Sequence, residues 1–209
     1  MEIGSQHIED AGSPADRLYT IGHSNHEAEA LLELLRGAGV TAVADVRSSP
    51  FSRRLPQFNR TTLEAFLRHY GIAYVFLGEE LGGRPASSEL YHPEGWADYE
   101  QMRQTAGFQL GIQRVLRGLE GHTIALLCSE EDPMDCHRAL MIAPALKELG
   151  LPPRHIRKDG RVETTRQFEQ RLQQETGLGS LFPESLAEAY RMMNRKKAFR
   201  RSPDDEAGD

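Results

Sequence analysis

Thr123-Ile124-Ala125-Leu126-Leu127-Cys128-Ser129-Glu130-Glu131-Asp132-Pro133-Met134-Asp135-Cys136-His137-Arg138 passes from an apolar run, through a charged loop, to the signals that start a helix. Thr123 to Leu127 is continuously apolar, the pattern of a strand buried on both faces of a sheet. Asp132 before Pro133 reads as an N-cap followed by the first helical residue. Strand, polar loop and helix start make one step of an open α/β sheet, where ligands bind beyond the carboxyl ends of the strands.

Upstream, the same alternation repeats. Leu18 to Ile21 is a short strand closed by Gly22, and Ser24 with Glu27 three residues later has the form of a capping box. Ala28, Leu31, Leu32, Leu34 and Leu35 then predict a helix that stops at Gly37 and Gly39. Ala42 to Val46 is a second strand. Thr61 or Thr62 is placed to cap a helix through Leu63, Phe66 and Leu67, and Ile72 to Leu77 is a third strand. Trp96 to Leu119 has helical spacing with a break expected at Gly107.

Downstream of the loop, a helix is expected over Pro133 to Leu149, kinked or split at Pro144 because proline removes a backbone donor and clashes with the preceding turn. Arg154 to Ile156 is a last strand, with Asp159-Gly160 turning a small hairpin back through Val162. Arg166 to Thr176 and Pro183 to Lys197 read as helices. Alternating strands and helices predict a single three-layer α/β domain, a mostly parallel sheet flanked by helices with a C-terminal helical extension. The expected boundaries are a disordered tail over 1–16, the α/β domain over 17–177, the helical extension over 178–199 and a charged, disordered tail over 200–209.

The 209 residues carry a net charge of -6 with 39% hydrophobic and 27% charged side chains, which is ordinary for a globular protein and excludes a basic nucleic-acid coat. Two cysteines are too few for a disulfide framework. No stretch approaches the ~20 apolar residues of a membrane span, and the first sixteen residues lack the apolar core of a signal peptide. A cytoplasmic protein without membrane contact is expected.

Three polar segments carry the chemistry. The first is the loop itself. A thiolate is stabilised near cationic groups, so Cys136 beside His137 and Arg138 is a candidate nucleophile, and so is Cys128 at the end of the strand. Their alternative is to serve as small buried hydrophobes. The Cys-x7-Cys-His spacing matches no zinc motif, so no metal is assigned from sequence. Position 134 is methionine, so no Cys-x5-Arg phosphatase loop exists. Glu130, a carboxylate at a strand end, is a candidate acid or base. The second segment holds Asp45, Arg47, Ser52 and Arg53. From Val46 to Leu63 there is no acidic residue, against four arginines, and guanidinium forks with hydroxyls suit phosphate. Phe51 and Phe58 between them are able to stack bases. The alternative is an arginine-rich surface loop paired with acids elsewhere. The third is His23 and Ser24, after the first strand. If strands one, two and four are neighbours, all three loops meet in one cleft, and Arg84 in the loop Gly82-Gly83-Arg84 joins the substrate-binding candidates with Arg138.

Thr20-Ile21-Gly22-His23-Ser24, Asp45-Val46-Arg47 with Pro50, Ser52 and Arg53, Leu81-Gly82-Gly83 and the Cys128 to Arg138 loop together resemble the DUF488 family, over roughly residues 18–168. The resemblance implies a compact α/β domain whose polar motifs gather in one pocket, and it carries no reaction with it. Asp-Val-Arg followed by strand-Cys-loop-helix also looks similar to rhodanese-type domains, although the active loop does not match. Three readings follow. One is an enzyme acting on a phosphate-bearing small molecule or nucleic acid. The second is a thiol-dependent sulfur-transfer or redox enzyme using Cys128 or Cys136, and the third is a non-catalytic module that binds an anionic ligand.

Overall fold

The computed structural model describes residues 13–178 and 183–201. Six strands form one sheet: β1 (Leu18–Gly22), β2 (Ala42–Asp45), β3 (Ala73–Phe76), β4 (Ile124–Cys128), β5 (Arg154–Ile156) and β6 (Val162–Glu163). The order across the sheet is β3-β2-β4-β1-β5-β6. All neighbours are parallel except β5 and β6, the hairpin expected at Asp159-Gly160. The sheet is therefore mostly parallel, and the apolar run after Thr123 lies at its centre.

Successive side chains of a strand point to opposite faces, and β4 divides its residues accordingly. Ala125 and Leu127 enter one core with α1 (Ala28–Gly37) and α2 (Arg60–His69). Ile124, Leu126 and Cys128 enter the other. Around that second core stand α3 (Gly78–Leu81), α4 (Tyr99–Arg103), α5 (Ala106–Gly118), α6 (Ala143–Glu148), α7 (Thr165–Thr176) and α8 (Pro183–Lys197). Helices on both faces make the three layers. Leu126 and Leu127 are both fully buried, each side chain contributing roughly 1.5–3 kcal/mol by leaving water.

Several boundaries differ from expectation for local reasons. Ser24 caps nothing: it adopts φ 49° and its backbone N–H donates to the Ser129 carbonyl at 2.8 Å, so α1 begins at Ala28. Asn59, not a threonine, precedes α2. The helix expected over Trp96 to Leu119 is two helices, divided at Gln104-Thr105 rather than at Gly107, and the Thr105 side chain accepts from the Phe108 N–H. The helix expected over Pro133 to Leu149 is three pieces. Asp132 does cap, accepting from the Met134 N–H, but only a 3-10 turn over Pro133–Asp135 follows. Cys136 is extended at φ -137°, and a π-helical stretch over Arg138–Ile142 precedes α6, with Pro144 in its first turn.

α8 docks on the domain: the Asn194 side chain accepts from the Tyr99 N–H and donates to the Ala97 carbonyl. Pro14–Arg17 form a 3-10 turn. Residues 1–12 of the expected N-terminal tail and 202–209 of the expected C-terminal one lie outside the described residues. Among the described residues no helix is long and apolar enough to cross a membrane.

The parallel register brings the strand ends level, with Gly22 opposite Cys128 and Asp45 opposite Leu127. Gly22 then permits the β4 loop to cross over β1. A Cβ at this position would lie 1.7 Å from the Glu130 carbonyl oxygen, a contact only a backbone shift relieves. Gly22→Ala is expected to cost about 3 kcal/mol or more in urea unfolding monitored by circular dichroism. A loss below about 1 kcal/mol would show that the loop tolerates displacement.

Candidate functional site

The three loops beyond β1, β2 and β4 meet, as the strand order requires. Backbone bonds continue the sheet past its strands: the His23 N–H donates to the Cys128 carbonyl at 2.9 Å and the Val46 N–H to the Leu127 carbonyl at 3.0 Å. A cavity of about 260 Å³ opens there. Cys128, Glu130, Cys136 and His137 line it, with Arg47, Arg84 and Lys197 as its cations. Ser48 and Ser49 add hydroxyls, and Tyr99 and Phe199 add aromatic walls.

The groups at its floor are in mutual reach. The Cys128 thiol lies 3.1 Å from Glu130 Oε2 and 3.6 Å from His137 Nδ1. Cys136 Sγ is 3.8 Å from the same nitrogen. His137 Nε2–H donates to the Val46 carbonyl at 2.9 Å. A carbonyl only accepts, so the neutral ring presents its Nδ1 lone pair to the two sulfurs. Gly83 seats the ring: a Cβ there would come within 2.8 Å of the imidazole.

The electrostatics of the floor are uneven. Burial alone would raise the Cys136 thiol, but hydrogen bonding from Cys128 and the charges of Arg138 and His137 hold it well below its usual range. Burial pushes Cys128 well up, and the neighbouring Cys136 and Glu130 add to this. Burial and the Cys136 charge also raise Glu130. His137 is raised, because Cys136 and Glu130 outweigh a burial effect that acts downward. The floor thus shifts Cys136 towards its ionised form and Cys128 and Glu130 towards their neutral forms.

Behind the floor, Arg138 is fully buried and donates to the Glu130 and Glu131 carbonyls at 2.6 and 2.7 Å and to Thr20 Oγ1 at 3.3 Å. Thr20 Oγ1 in turn contacts His155 Nδ1 at 2.8 Å. Arg138 fixes the loop and is not among the cavity-lining residues.

To one side, Asp45 accepts from the Arg47 N–H, Nε and Nη2 and from the Tyr74 hydroxyl. Arg47 Nη1 donates to His23 Nε2 at 3.1 Å, and His23 Nδ1–H donates to the Ser24 carbonyl. His23 stacks on Phe58 at 4.3 Å. Asp45 and His23 therefore orient Arg47 from behind. Ser52 and Arg53 are not drawn into the cleft. The Ser52 hydroxyl accepts from the Arg54 and Leu55 N–H groups, and the Arg53 side chain is exposed.

Lys197 and Phe199 reach the site from the C-terminal extension. Lys197 pairs with Asp135 at 2.5 Å, and the Arg84 guanidinium lies over the Phe199 ring at 4.6 Å. Only the basic run Arg195-Lys196-Lys197 hinted at this in the sequence.

The family model described as Domain of unknown function DUF488 matches residues 27–143, more than half of the chain, and the chain belongs to that family. The match includes Asp45, Arg47, Gly83 and the whole Cys128 to Arg138 loop. It begins after His23 and Ser24 and ends before α7 and α8, a shorter span than the motif resemblance. No curated protein and no solved structure matches the chain.

Burial and the neighbouring Arg47 lower His23 from 6.5 to about 4, and burial lowers His155 from 6.5 to about 3. Between the unfolded and folded values only the unfolded chain takes up the proton. Stability is therefore expected to fall as pH drops from about 6.5 towards 4. Histidine NMR titration checks the cause: both rings should remain neutral at pH 5, and midpoints near 6.5 would contradict it. Replacing Asp45 by Asn leaves Arg47 buried without its counter-charge and should cost about 3 kcal/mol in urea unfolding.

Proposed function

From that family membership and that cleft, we propose that the protein is an enzyme acting on a phosphate-bearing substrate. The observation that carries the reading is a cluster of two thiols, a carboxyl and an imidazole at the floor of a cavity whose lining also holds Arg47, Arg84 and Lys197. Convergent titratable groups with perturbed ionisation, set in a concave site, are the usual mark of catalysis. The cations and the Ser48 and Ser49 hydroxyls supply the donors that an anionic group needs. Glu130 is the proton-transferring residue, its carboxyl raised towards working pH by burial and by Cys136. The anion is bound chiefly by Arg84 and Lys197, because Arg47 already binds Asp45 and His23.

The Cys136–His137 pair favours a second reading, in which Cys136 is a nucleophile. A thiolate beside an imidazolium is the activated form that thiol-dependent group transfer uses. On this reading Cys136 should react with iodoacetamide faster than free cysteine at neutral pH, and Cys136→Ser should abolish that reaction. If neither cysteine exceeds the free rate, thiol catalysis is excluded.

For the first reading, AMP, ATP and a short single-stranded DNA serve as probes in isothermal titration at two salt concentrations. Binding should weaken with salt and fall about tenfold or more in Arg84→Glu and in Lys197→Glu. Glu130→Gln should retain binding. Salt-insensitive binding, or affinity unchanged in both charge reversals, would overturn the assignment.

A further inference from the structure

Cys128, Cys136 and His137 lie five, thirteen and fourteen residues after Thr123, in a spacing that matches no metal motif, yet folding gathers their donor atoms. Cys128 Sγ, Cys136 Sγ and His137 Nδ1 all lie within 4.8 Å of one another, and all three residues are buried. The separations decide what fits between them. An ion bound tetrahedrally to sulfur at about 2.3 Å and to nitrogen at about 2.0–2.1 Å sets those two atoms roughly 3.6 Å apart. The two sulfur–nitrogen distances are 3.6 and 3.8 Å.

Two further observations point the same way. His137 donates its far nitrogen to the Val46 carbonyl at 2.9 Å, the outer contact that orients a metal-bound imidazole and fixes its tautomer. The ring packs against Gly83, where a Cβ would come within 2.8 Å of the imidazole. The Nδ1 lone pair is thereby held on the sulfurs. All three donors also line the cleft, so an ion among them would have one face open to it.

We propose that Cys128, Cys136 and His137 bind a zinc ion. Two thiolates and one imidazole suit a borderline-soft divalent ion better than magnesium or calcium, which take oxygen ligands. Three protein ligands with the fourth position facing a cavity is the arrangement of a catalytic rather than a structural zinc. Glu130, in contact with Cys128 and lining the same cavity, stands beside that open position. The inference rests on the cleft being the reaction centre. It excludes a free Cys136 nucleophile, because the same sulfur cannot serve both.

The test is elemental analysis of the full chain, purified under reducing conditions, followed by chelation and titration with cobalt(II) alone. About one zinc per chain is expected, with a cobalt–thiolate charge-transfer absorption on reconstitution. Cys128→Ser, Cys136→Ser and His137→Asn should each lose that absorption. Circular dichroism separates loss of the site from loss of fold. Ser52→Ala, outside the cleft, should keep the metal. Purified protein without zinc that takes up no cobalt overturns the proposal, as does equal uptake by the Cys128→Ser/Cys136→Ser double variant. Binding of AMP or ATP to the chelated protein keeps the two ideas apart. If that binding is salt-dependent and needs Arg84 while no metal binds, only the zinc site fails. If zinc binds but no phosphate-bearing ligand does, only the substrate reading fails.

Discussion

A fully buried guanidinium, Arg138, shapes the site. A charge removed from water is costly unless its hydrogen bonds and its counter-charge are supplied. Arg138 obtains the bonds from the Glu130 and Glu131 carbonyls and from Thr20. In doing so it folds the loop after β4 back over β1. This crossing needs Gly22 beneath it and places the Glu130 side chain beside Cys128. Among the described residues no carboxylate forms an ion pair with Arg138. The anion favoured by its charge is the Cys136 thiolate, whose Sγ accepts from the Arg138 backbone N–H at 3.5 Å.

Asp45 and Arg47 play the corresponding part on the other side. Asp45 accepts four hydrogen bonds, three of them from Arg47, so the arginine has few orientations left before any ligand arrives. His23 continues the chain of contacts and is held neutral by burial and by Arg47. Rigid polar layers of this kind suit a site whose groups must be aimed before reaction, since orientation fixed by folding costs nothing at the moment of binding.

Much of the fold was legible because period and burial agree. The apolar runs after Leu18, Ala42, Ile72 and Thr123 all became strands, and the central one is divided between two cores by simple alternation. The helix boundaries were less legible. Ser24-x-x-Glu27 has the letters of a capping box, but the Ser129 carbonyl captured the Ser24 N–H and pulled the segment out of helical form. The same competition broke the helix after Pro133. Tertiary contacts drew Cys136 into an extended conformation, which turned a residue expected about one turn inside a helix into part of the cavity floor. Convergence of the loops followed from the strand order, whereas distances between Cys128, Cys136 and His137 depend on a π-helical stretch that no local pattern announces. Lys197 was harder still, because it reaches the cleft by way of a helix that packs from far along the chain.

The charge distribution also limits how a ligand is able to sit. At the floor, Cys128 and Glu130 are both pushed up by burial and by the Cys136 charge, so a further anion placed among them meets the same penalty. Cations farther along the lining carry no such burden: Arg84 is exposed, and Lys197 faces a single carboxylate, Asp135. On the proposed reading, an anionic ligand would be held by Arg84 and Lys197 with its uncharged part turned inward. On the same reading, the β4 loop would supply the proton-transfer chemistry, and α8, outside the family-matched segment, a cation for the ligand's charge.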